Sequence, residues 1–393
     1  MHSKNKRITH LLLFLVLMAL IIIASGCMGN PRSETIVIPE SEGGQPAVGA
    51  SVGKVFQVKT IFPLEEWSDK FEVLGWTNEE NLVGYYRGSL PSGSTYDGLQ
   101  LIAAPYDRLK QLTASLNAGK DLFSLSPDGK LLAGLSESGD GYSLILLSVD
   151  GRTSKSISEP MEKQRRLLSQ TLQWSGNSRY LSYLVLGDDS DPLSLVEYDI
   201  QQGTSKQLPL QGISDIKNIV SAELSEDGNR LLIDNGRLVT MASLNEDGRF
   251  VVQYDHPSGA NGSTWVDANR FIFLGADGTL FQYDNRNGEL SVLLEKIVSY
   301  SLSPDRETIA YTQSEGDIIY VGKLQGNNLL SQTAVYQGFV PSLMNWSLSR
   351  GKLLVVGSKP FARAAAEASA PAPESEREGL QDLHAFIIEF EDK

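Results

Sequence analysis

The chain contains few of the residues on which most catalytic and metal sites depend. Its 393 residues include one cysteine, Cys27, and four histidines, at positions 2, 10, 256 and 384. A single cysteine excludes an intramolecular disulfide, and no His-x-x-x-His or Cys-x-x-Cys spacing is present for a zinc site. We therefore predict no catalytic residues, no metal and no cofactor, and a protein that is not an enzyme.

Basic residues are also scarce. The sequence has 34 lysines and arginines against 48 aspartates and glutamates, a formal net charge of −14. Residues 1–26 contain three of the basic residues and no acid, so the remainder of the chain carries a formal charge of −17. A surface of this sign repels phosphate backbones, and we expect no nucleic-acid partner.

Sustained helical periodicity is absent after residue 30. Only residues 162–170 and 362–368 have a pattern that suggests brief helical turns. The rest of the chain consists of short β-branched or aromatic segments bounded by Gly, Asn or Asp, such as 270–275, 279–284 and 318–324. This pattern is typical of β-strands and predicts an all-β fold.

A strand–turn–strand motif recurs seven times and organises these strands. An apolar segment ends at Trp or Leu, a Ser-Pro-Asp-Gly-like turn follows, and an alternating apolar segment comes next. The anchor residues, 37 to 50 positions apart, are Trp76, Leu125, Trp174, Leu224, Trp265, Leu302 and Trp346. A period near 40–45 residues is that of propeller blades, each a four-stranded sheet. We number the copies as units 1 to 7.

The recurring aspartates are interpreted as turn residues and not as metal ligands or acid–base groups. Pro pre-sets φ at the second turn position, Asp caps its own backbone and Gly accepts a positive φ. Their recurrence at equivalent turn positions favours this structural role.

The last unit is incomplete. It contains an inner strand ending at Trp346, a second strand at 352–356 and a third at 383–391, but no fourth. An unassigned strand, 54–62, precedes the first unit. Pairing the two would close the ring and remove open sheet edges. The sequence therefore predicts a seven-bladed β-propeller closed by strand 54–62, with six blades as the alternative.

Two copies of the motif carry a family resemblance. The segments FSLSPDGKLLAG (123–134) and YSLSPDRETIAY (300–311) resemble the WD40-like (PD40) repeats of the TolB-type β-propeller family. The resemblance spans roughly residues 54–391. It implies the propeller fold and a surface for protein partners, and it transfers no catalytic residue.

The N-terminus has the features of an export signal. A basic segment (1–10) precedes 13 apolar residues (11–23), which are too few to span a bilayer comfortably. The following Ala24-Ser25-Gly26-Cys27 resembles the lipobox of bacterial lipoproteins, in which a diacylglyceryl group is attached to the cysteine. We expect lipidation at Cys27 and a location on the extracytoplasmic face of the cell membrane. In a Gram-negative bacterium the outer membrane is the alternative.

These features divide the chain into three parts. Residues 1–26 are predicted to be a lipoprotein signal peptide, and 27–53 the lipidated cysteine with a flexible tether rich in Gly, Pro, Ser and Glu. Residues 54–393 form the predicted propeller, with an Ala/Pro/Glu-rich insertion near 359–380 that we expect to be disordered.

Unusually long connections between strands suggest where the functional surface is. The predicted connections between second and third strands are long in units 7, 1 and 3 (357–382, 88–98 and 187–192), and so is the connection between units 2 and 3. These connections share one face of a propeller, and functional residues favour such loops. The candidate partner-binding residues there are Lys163, Arg165, Arg166, Asp188, Asp189 and Asp191.

The sequence thus predicts a lipid-anchored extracytoplasmic propeller that acts as a non-catalytic protein-binding or assembly module of the cell envelope. The membrane, through the lipid on Cys27, and an envelope protein are the expected partners. The alternatives are a carbohydrate- or cell-wall-binding lectin-like propeller and, third, a propeller enzyme acting on envelope glycans.

Overall fold

The structure, a computed structural model, is built from β-strands. It describes residues 55–64, 71–89, 95–112, 122–138, 141–157, 166–187, 193–259, 262–314, 317–359 and 384–391. All of them belong to one of the two units into which the chain divides, Ile38–Lys393. These ranges contain 28 strands, a single 3-10 turn (Ile216–Asn218) and no α-helix, which confirms the all-β prediction. No helix within them is long and apolar enough to cross a membrane.

The strands follow the repeat units in chain order. Strand β1 (Val58–Pro63) precedes unit 1. Unit 1 contains β2 (Phe71–Trp76), β3 (Asn81–Ser89), β4 (Thr95–Ala103) and β5 (Leu109–Gln111). Unit 2 contains β6 (Leu122–Leu125), β7 (Leu131–Ser138), β8 (Gly141–Ser148) and β9 (Ser154–Ile157). Unit 3 contains β10 (Arg166–Trp174), β11 (Tyr180–Leu186), β12 (Ser194–Asp199) and β13 (Thr204–Gln211).

The later units continue in the same way. Unit 4 contains β14 (Ser221–Leu224), β15 (Arg230–Asp234), β16 (Leu238–Leu244) and β17 (Phe250–Pro257). Unit 5 contains β18 (Ser263–Trp265), β19 (Arg270–Leu274), β20 (Leu280–Asp284) and β21 (Glu289–Leu294). Unit 6 contains β22 (Ile297–Leu302), β23 (Thr308–Gln313), β24 (Ile318–Gln325) and β25 (Asn328–Gln337). Unit 7 contains β26 (Val340–Trp346), β27 (Lys352–Ser358) and β28 (His384–Phe390).

The strands assemble into small antiparallel sheets in a propeller-like arrangement. Five sheets have four strands, and one has eight. The eight-stranded sheet consists of units 3 and 4, joined by a short parallel pairing of β13 with β17 at Leu210↔Phe250 and Gln211↔Val251. The first strand of every unit lies at the edge of its sheet and ends at the anchor residue, as predicted.

Strand β1 completes the sheet of unit 7. It pairs antiparallel with β28, from Val58 opposite Phe390 to Pro63 opposite Phe386, so the sheet order is β1-β28-β27-β26. The pairing of the N-terminal strand with the C-terminal one is as predicted, although the strand covers 58–63 and not 54–62. Phe56, Val58 and Ile61 pack against the core cluster that contains Phe390.

The core lies between neighbouring sheets. One cluster joins Leu274 and Leu280 of unit 5 to Ile309 and Tyr311 of unit 6, and others join units 6 and 7 or units 4 and 5. Each sheet therefore buries both faces, which explains the nearly continuous apolar runs of the second strands, such as β11.

Tryptophan anchors connect consecutive units through their indole N–H groups. Each donates to the backbone carbonyl of the residue just before the anchor of the preceding unit. The bonds run from Trp76 to Asn345 (3.1 Å), Trp174 to Ser124 (3.1 Å), Trp265 to Glu223 (2.9 Å) and Trp346 to Ser301 (3.1 Å). The first of these joins unit 1 to unit 7, at opposite ends of the described chain.

The Ser-x-Asp turns have the predicted chemistry. In unit 2 the Ser126 hydroxyl donates to Asp128 Oδ1 at 2.7 Å and accepts from the Leu131 N–H at 2.9 Å. The Ser225–Asp227 and Ser303–Asp305 pairs repeat the first contact at 2.6 and 2.5 Å. These aspartates are thus committed to turn hydrogen bonds.

Two expectations from the sequence are wrong. Residues 166–170 were expected to form part of a helical turn but lie in β10, where Arg166, Leu167 and Leu168 pair with β11. The loop expected at 88–98 is shorter, because β3 extends to Ser89 and β4 begins at Thr95. The ladder continues to a Ser89↔Thr95 pair, so only 90–94 connect the strands. The predicted helical turn at 362–368 and the insertion near 359–380, except Lys359, lie outside the described residues.

Candidate partner-binding surface

The predicted site residues lie almost entirely outside the described part of the chain. This applies to Cys27, Lys163, Arg165, Asp188, Asp189 and Asp191. Arg166 is described only in its backbone, as the first residue of β10 opposite Leu186. The strand bounds put 158–165 between units 2 and 3, and 188–192 between the second and third strands of unit 3. The structure therefore does not test whether these charges act together.

The sheets have two distinct ends. The polar turns between first and second strands lie at one end, which we call the turn face, and the inner strands begin at the other, which we call the loop face. Contacts between turns of consecutive units define the turn face. They include the Asp128 N–H to Ser178 Oγ (3.0 Å), Asn177 Nδ2 to Glu226 O (2.9 Å), Arg230 to Ala268 O (3.0 Å), Arg350 to Asp305 (2.7 Å) and Lys352 to Glu80 (2.6 Å).

Four of the inner strands line a narrow cavity, which we call the channel. A cavity of about 180 Å³ is lined by residues of β2, β6, β22 and β26 and by the polar turns of units 2, 3, 6 and 7. Residues as distant in sequence as Gly75, Gly176 and Trp346 thus share one cavity. The first strands of the units are therefore the inner strands of the arrangement.

Four exposed aliphatic side chains lie on three inner strands or next to them, and three of the four are at the loop-face end. Val220 is 50% exposed, Val298 41%, Val340 44% and Leu343 38%. Val220 directly precedes β14, Val298 is the second residue of β22, and the other two belong to β26. Strands β22 and β26 are in contact. We call these four residues the apolar rim.

The apolar rim holds most of the exposed large hydrophobic residues of the described chain. The other three, Leu290, Val292 and Leu330, lie on the outer strands β21 and β25. Isolated exposed apolar residues are common, but exposed apolar residues that recur at the same end of several inner strands are a feature of binding surfaces.

A repeated sequence signal accounts for three of the four residues of the apolar rim. In units 4, 6 and 7 a large apolar residue followed by Val lies at the start of the inner strand or just before it: 219–220, 297–298 and 339–340. Ile219, Ile297 and Phe339 are buried in the core, whereas the Val after each is exposed. Because side chains alternate along a strand, the second apolar residue of each pair has no place in the core. Sequence reasoning based on loops alone missed this signal.

Val220 is hydrogen-bonded through its backbone to a residue with a buried carboxylate. Asp234 ends β15 opposite Ser221 and is 1% exposed. Its Oδ1 accepts the Gly236 N–H at 2.6 Å, while Oδ2 has no partner among the described residues. Burial raises the pKa of this carboxyl. The backbone carbonyl of Asp234 accepts the Val220 N–H at 2.8 Å, and this bond holds Val220 against the end of β15.

A larger groove lies on the opposite face. It encloses about 730 Å³ between units 1 and 2 and is lined by Leu101, Lys110, Leu112, Lys130 and Leu131, among others. The Lys130 ammonium pairs with Asp128 at 3.1 Å. The groove combines aliphatic walls with an exposed polar edge, and no sequence motif indicates it.

Comparisons with known proteins give little beyond the architecture. No protein family and no curated protein matches the chain in sequence. Among solved structures it is similar to a functionally unknown protein from Desulfotomaculum acetoxidans, at 14% identity and a TM-score of 0.42 over 75% of this chain and 90% of that one. It is also similar to U3-55K, at 10% identity and a TM-score of 0.49 over 82% of this chain and 99% of that one. A third similar structure is Kluyveromyces lactis Hsv2, at 13% identity and a TM-score of 0.41 over 61% of this chain and 72% of that one. None of these likenesses indicates what the chain binds.

Proposed function

We propose that the protein is a lipid-anchored, extracytoplasmic β-propeller that binds a protein partner in the cell envelope without catalysing a reaction. The observation that supports this most directly is the apolar rim on the loop face. Its four aliphatic side chains are each more than a third exposed. Burial of each side chain against a partner would contribute about 1 kcal/mol or more to the free energy of binding.

We propose seven blades. In support, each of the seven repeat units contributes one inner strand that ends at its anchor residue. The eight-stranded sheet counts as two blades because only two residue pairs join its halves. Lys352 to Glu80 and the Trp76 indole to Asn345 link the last unit to the first.

The end of the fold at which β1 begins favours the loop face as the binding surface. The Glu391 N–H donates to the Gln57 carbonyl (2.9 Å), and the Phe390 N–H to Gly351 in the polar turn of unit 7 (2.9 Å). The segment that precedes β1 therefore enters the fold on the turn face. If Cys27 carries the lipid, the tether is attached at this end, and the apolar rim is free to meet a partner.

A partner suited to this surface presents apolar side chains at the centre of its interface. Well-packed aliphatic and aromatic groups usually dominate binding energy, and surrounding polar contacts mainly exclude water. The long connections predicted between units 2 and 3 and at 187–192 are expected on the same face and would supply the polar periphery. We propose that Lys163, Arg165, Arg166, Asp188, Asp189 and Asp191 orient the partner there through complementary charge.

The test of this function uses substitutions at the rim. The double variant Val340→Lys/Leu343→Lys should reduce recovery of a crosslinked partner from membranes at least tenfold, because two ammonium groups would have to be desolvated. Both side chains are exposed, so the melting temperature should change little. Leu330→Lys, an equally exposed aliphatic position on the outer strand β25, is the matched control. Equal recovery from all three proteins would contradict the proposal.

The anchor is tested separately. Cys27→Ser should abolish incorporation of a fatty-acid analogue and release the protein from the membrane, since stable anchoring depends on the acyl chains. Label retained by the variant would show that the lipid is attached elsewhere or that the N-terminal assignment is wrong.

A further inference from the structure

The outer strand of unit 5, β21, carries two exposed aliphatic side chains. Leu290 is 39% exposed and Val292 53%, and because one residue separates them, both lie on the same side of the sheet. Leu290 is opposite Tyr283 of β20, and Val292 is opposite Phe281. The Tyr283 ring stacks on that of Tyr254 in unit 4, with ring centroids 3.8 Å apart. The two aliphatic side chains thus extend the apolar layer between units 4 and 5.

The backbone edge of β21 is open to a further strand. Strand β21 is the last in the order β18-β19-β20-β21, and only β20 pairs with it. The backbone groups of 290–294 have no hydrogen-bond partner among the described residues outside the pairing with β20. An unpaired edge of this kind is a template for a strand from another chain.

The outer strands of the other units carry features that oppose strand addition. Strand β17 pairs in part with β13 and ends at Pro257, and β25 has two register shifts and a left-handed residue, Ser331, with φ of 54°. The four remaining outer strands, β1, β5, β9 and β13, each contain a lysine: Lys59, Lys110, Lys155 and Lys206. Lysine, proline and bulges are common means of blocking a sheet edge. Strand β21 has neither lysine nor proline, and its single register shift lies beyond Val292.

Two carboxylates at the ends of β21 indicate what kind of strand fits this edge. Glu289 is the first residue of β21, and Glu295 follows the last, about 20 Å further along an extended chain. Glu289 accepts hydrogen bonds from neutral side chains, those of Asn287 (3.0 Å), Ser291 (3.1 Å) and Asn327 (3.2 Å). Within the described part of the chain no cation forms an ion pair with either carboxylate, although Lys296 is the neighbour of Glu295 in sequence.

These charges favour a foreign strand over a second copy of β21. Two copies paired antiparallel about Val292 would bring Glu289 of each copy near Glu295 of the other. Like charges opposite each other destabilise a strand pair. A strand with a basic residue at each end would instead neutralise both carboxylates.

We propose that β21 is a docking site for an extended segment of another protein, which adds to the four-stranded sheet of unit 5 as a fifth strand. The segment has aliphatic side chains at alternate positions, which cover Leu290 and Val292, and a lysine or arginine at each end. Backbone hydrogen bonds supply affinity in this mode of recognition, and the side chains supply specificity. The site lies on an outer strand and does not depend on the proposed function of the apolar rim.

Fluorescence anisotropy with labelled peptides tests this site on the full-length chain in detergent. The probe is the peptide Lys-Val-Thr-Val-Thr-Val-Lys, with a fluorophore at its N-terminus and an amidated C-terminus. One comparison peptide has Glu in place of both Lys residues, and another is N-methylated at every Val and Thr, which removes the backbone donors. We expect the probe to bind at least about tenfold more tightly than either comparison peptide. Absence of probe binding, or equal binding of all three peptides, would overturn the proposal.

A substitution on β21 locates the binding. Val292→Lys introduces the charge that protects other outer strands, so it should weaken probe binding at least about tenfold. The melting temperature should change little, because this side chain is more than half exposed. Leu330→Lys, on the outer strand β25, is the matched control and should bind the probe like the unmodified chain. If Val292→Lys lowers the melting temperature, Leu290→Lys replaces it. Unchanged affinity in the β21 variant would show that the peptide binds elsewhere.

Sedimentation without peptide distinguishes the proposed occupant from a second copy of the chain. We expect the unmodified chain and Val292→Lys to sediment alike over the micromolar concentration range. A dimer that forms with increasing concentration and is abolished by Val292→Lys would refute the foreign-strand assignment, because the edge of β21 would then be covered by its own copy.

Discussion

Removing β1 should open the arrangement at the point where the ends of the chain meet. Deleting residues 55–63 exposes the edge of β28 and removes the apolar contacts of Phe56, Val58 and Ile61 with the core. It also removes Phe62, whose ring lies 5.4 Å from that of Tyr106 in unit 1. Burial of about half of each of these four side chains contributes about 1 kcal/mol apiece, or about 4 kcal/mol in all.

A loss of this size is a large fraction of the stability of a typical domain, about 5–15 kcal/mol. We expect the melting temperature measured by calorimetry to fall on the order of 10 °C and light scattering to rise, because the β28 edge becomes available for intermolecular pairing. Deletion of 28–50 is the control and should change neither. Addition of a peptide with the sequence of 55–64 should restore part of the loss. Equal melting temperatures for both deletions would refute the assignment of β1 as a closing strand.

Three further predictions concern packing and charge. Gly134→Ala should lower the free energy of unfolding, measured with urea, by about 1–3 kcal/mol, because a Cβ would lie 2.5 Å from the Phe123 ring. If adding Phe123→Leu to this variant recovers none of the lost stability, the clash is not the cause. Burial raises the pKa of Asp234, so its contribution to stability is greatest at low pH and is lost as the pH rises through the native-state pKa. Asp234→Asn should therefore raise the melting temperature near neutral pH and have little effect below the ordinary carboxyl pKa; a gain that does not depend on pH would contradict this. Glu80→Gln should lower the free energy of unfolding by no more than about 1 kcal/mol, since Glu80 is 58% exposed although its partner Lys352 is buried. High salt should reduce the difference in stability between this variant and the unmodified chain.

Local sequence patterns predicted the repeat architecture because its determinants are local. Turn chemistry and strand alternation depend on a few adjacent residues, and all seven inner strands end at the expected anchors. The pairing of β1 with β28 is non-local, but it followed from the incomplete last unit and the cost of an open edge.

Other features depend on contacts that no local pattern encodes. Arg166, Leu167 and Leu168 have helix-compatible spacing, yet pairing with β11 places them in a strand. The exposure of Val340 depends on which side of β26 faces the core. Glu226 of unit 4 and Arg306 of unit 6 both lie close to Gly176 of unit 3, and a sequence read unit by unit does not show this.

Site-specific photocrosslinking in intact cells tests the central claim most directly. A photoreactive residue at Val340, on the apolar rim, is compared with one at Lys130, which is exposed on the turn face. If the loop face binds an envelope protein, position 340 should yield one discrete protein adduct that is absent at position 130 and reduced by Cys27→Ser. An adduct from position 130 without one from position 340, or no adduct from position 340, would contradict the account.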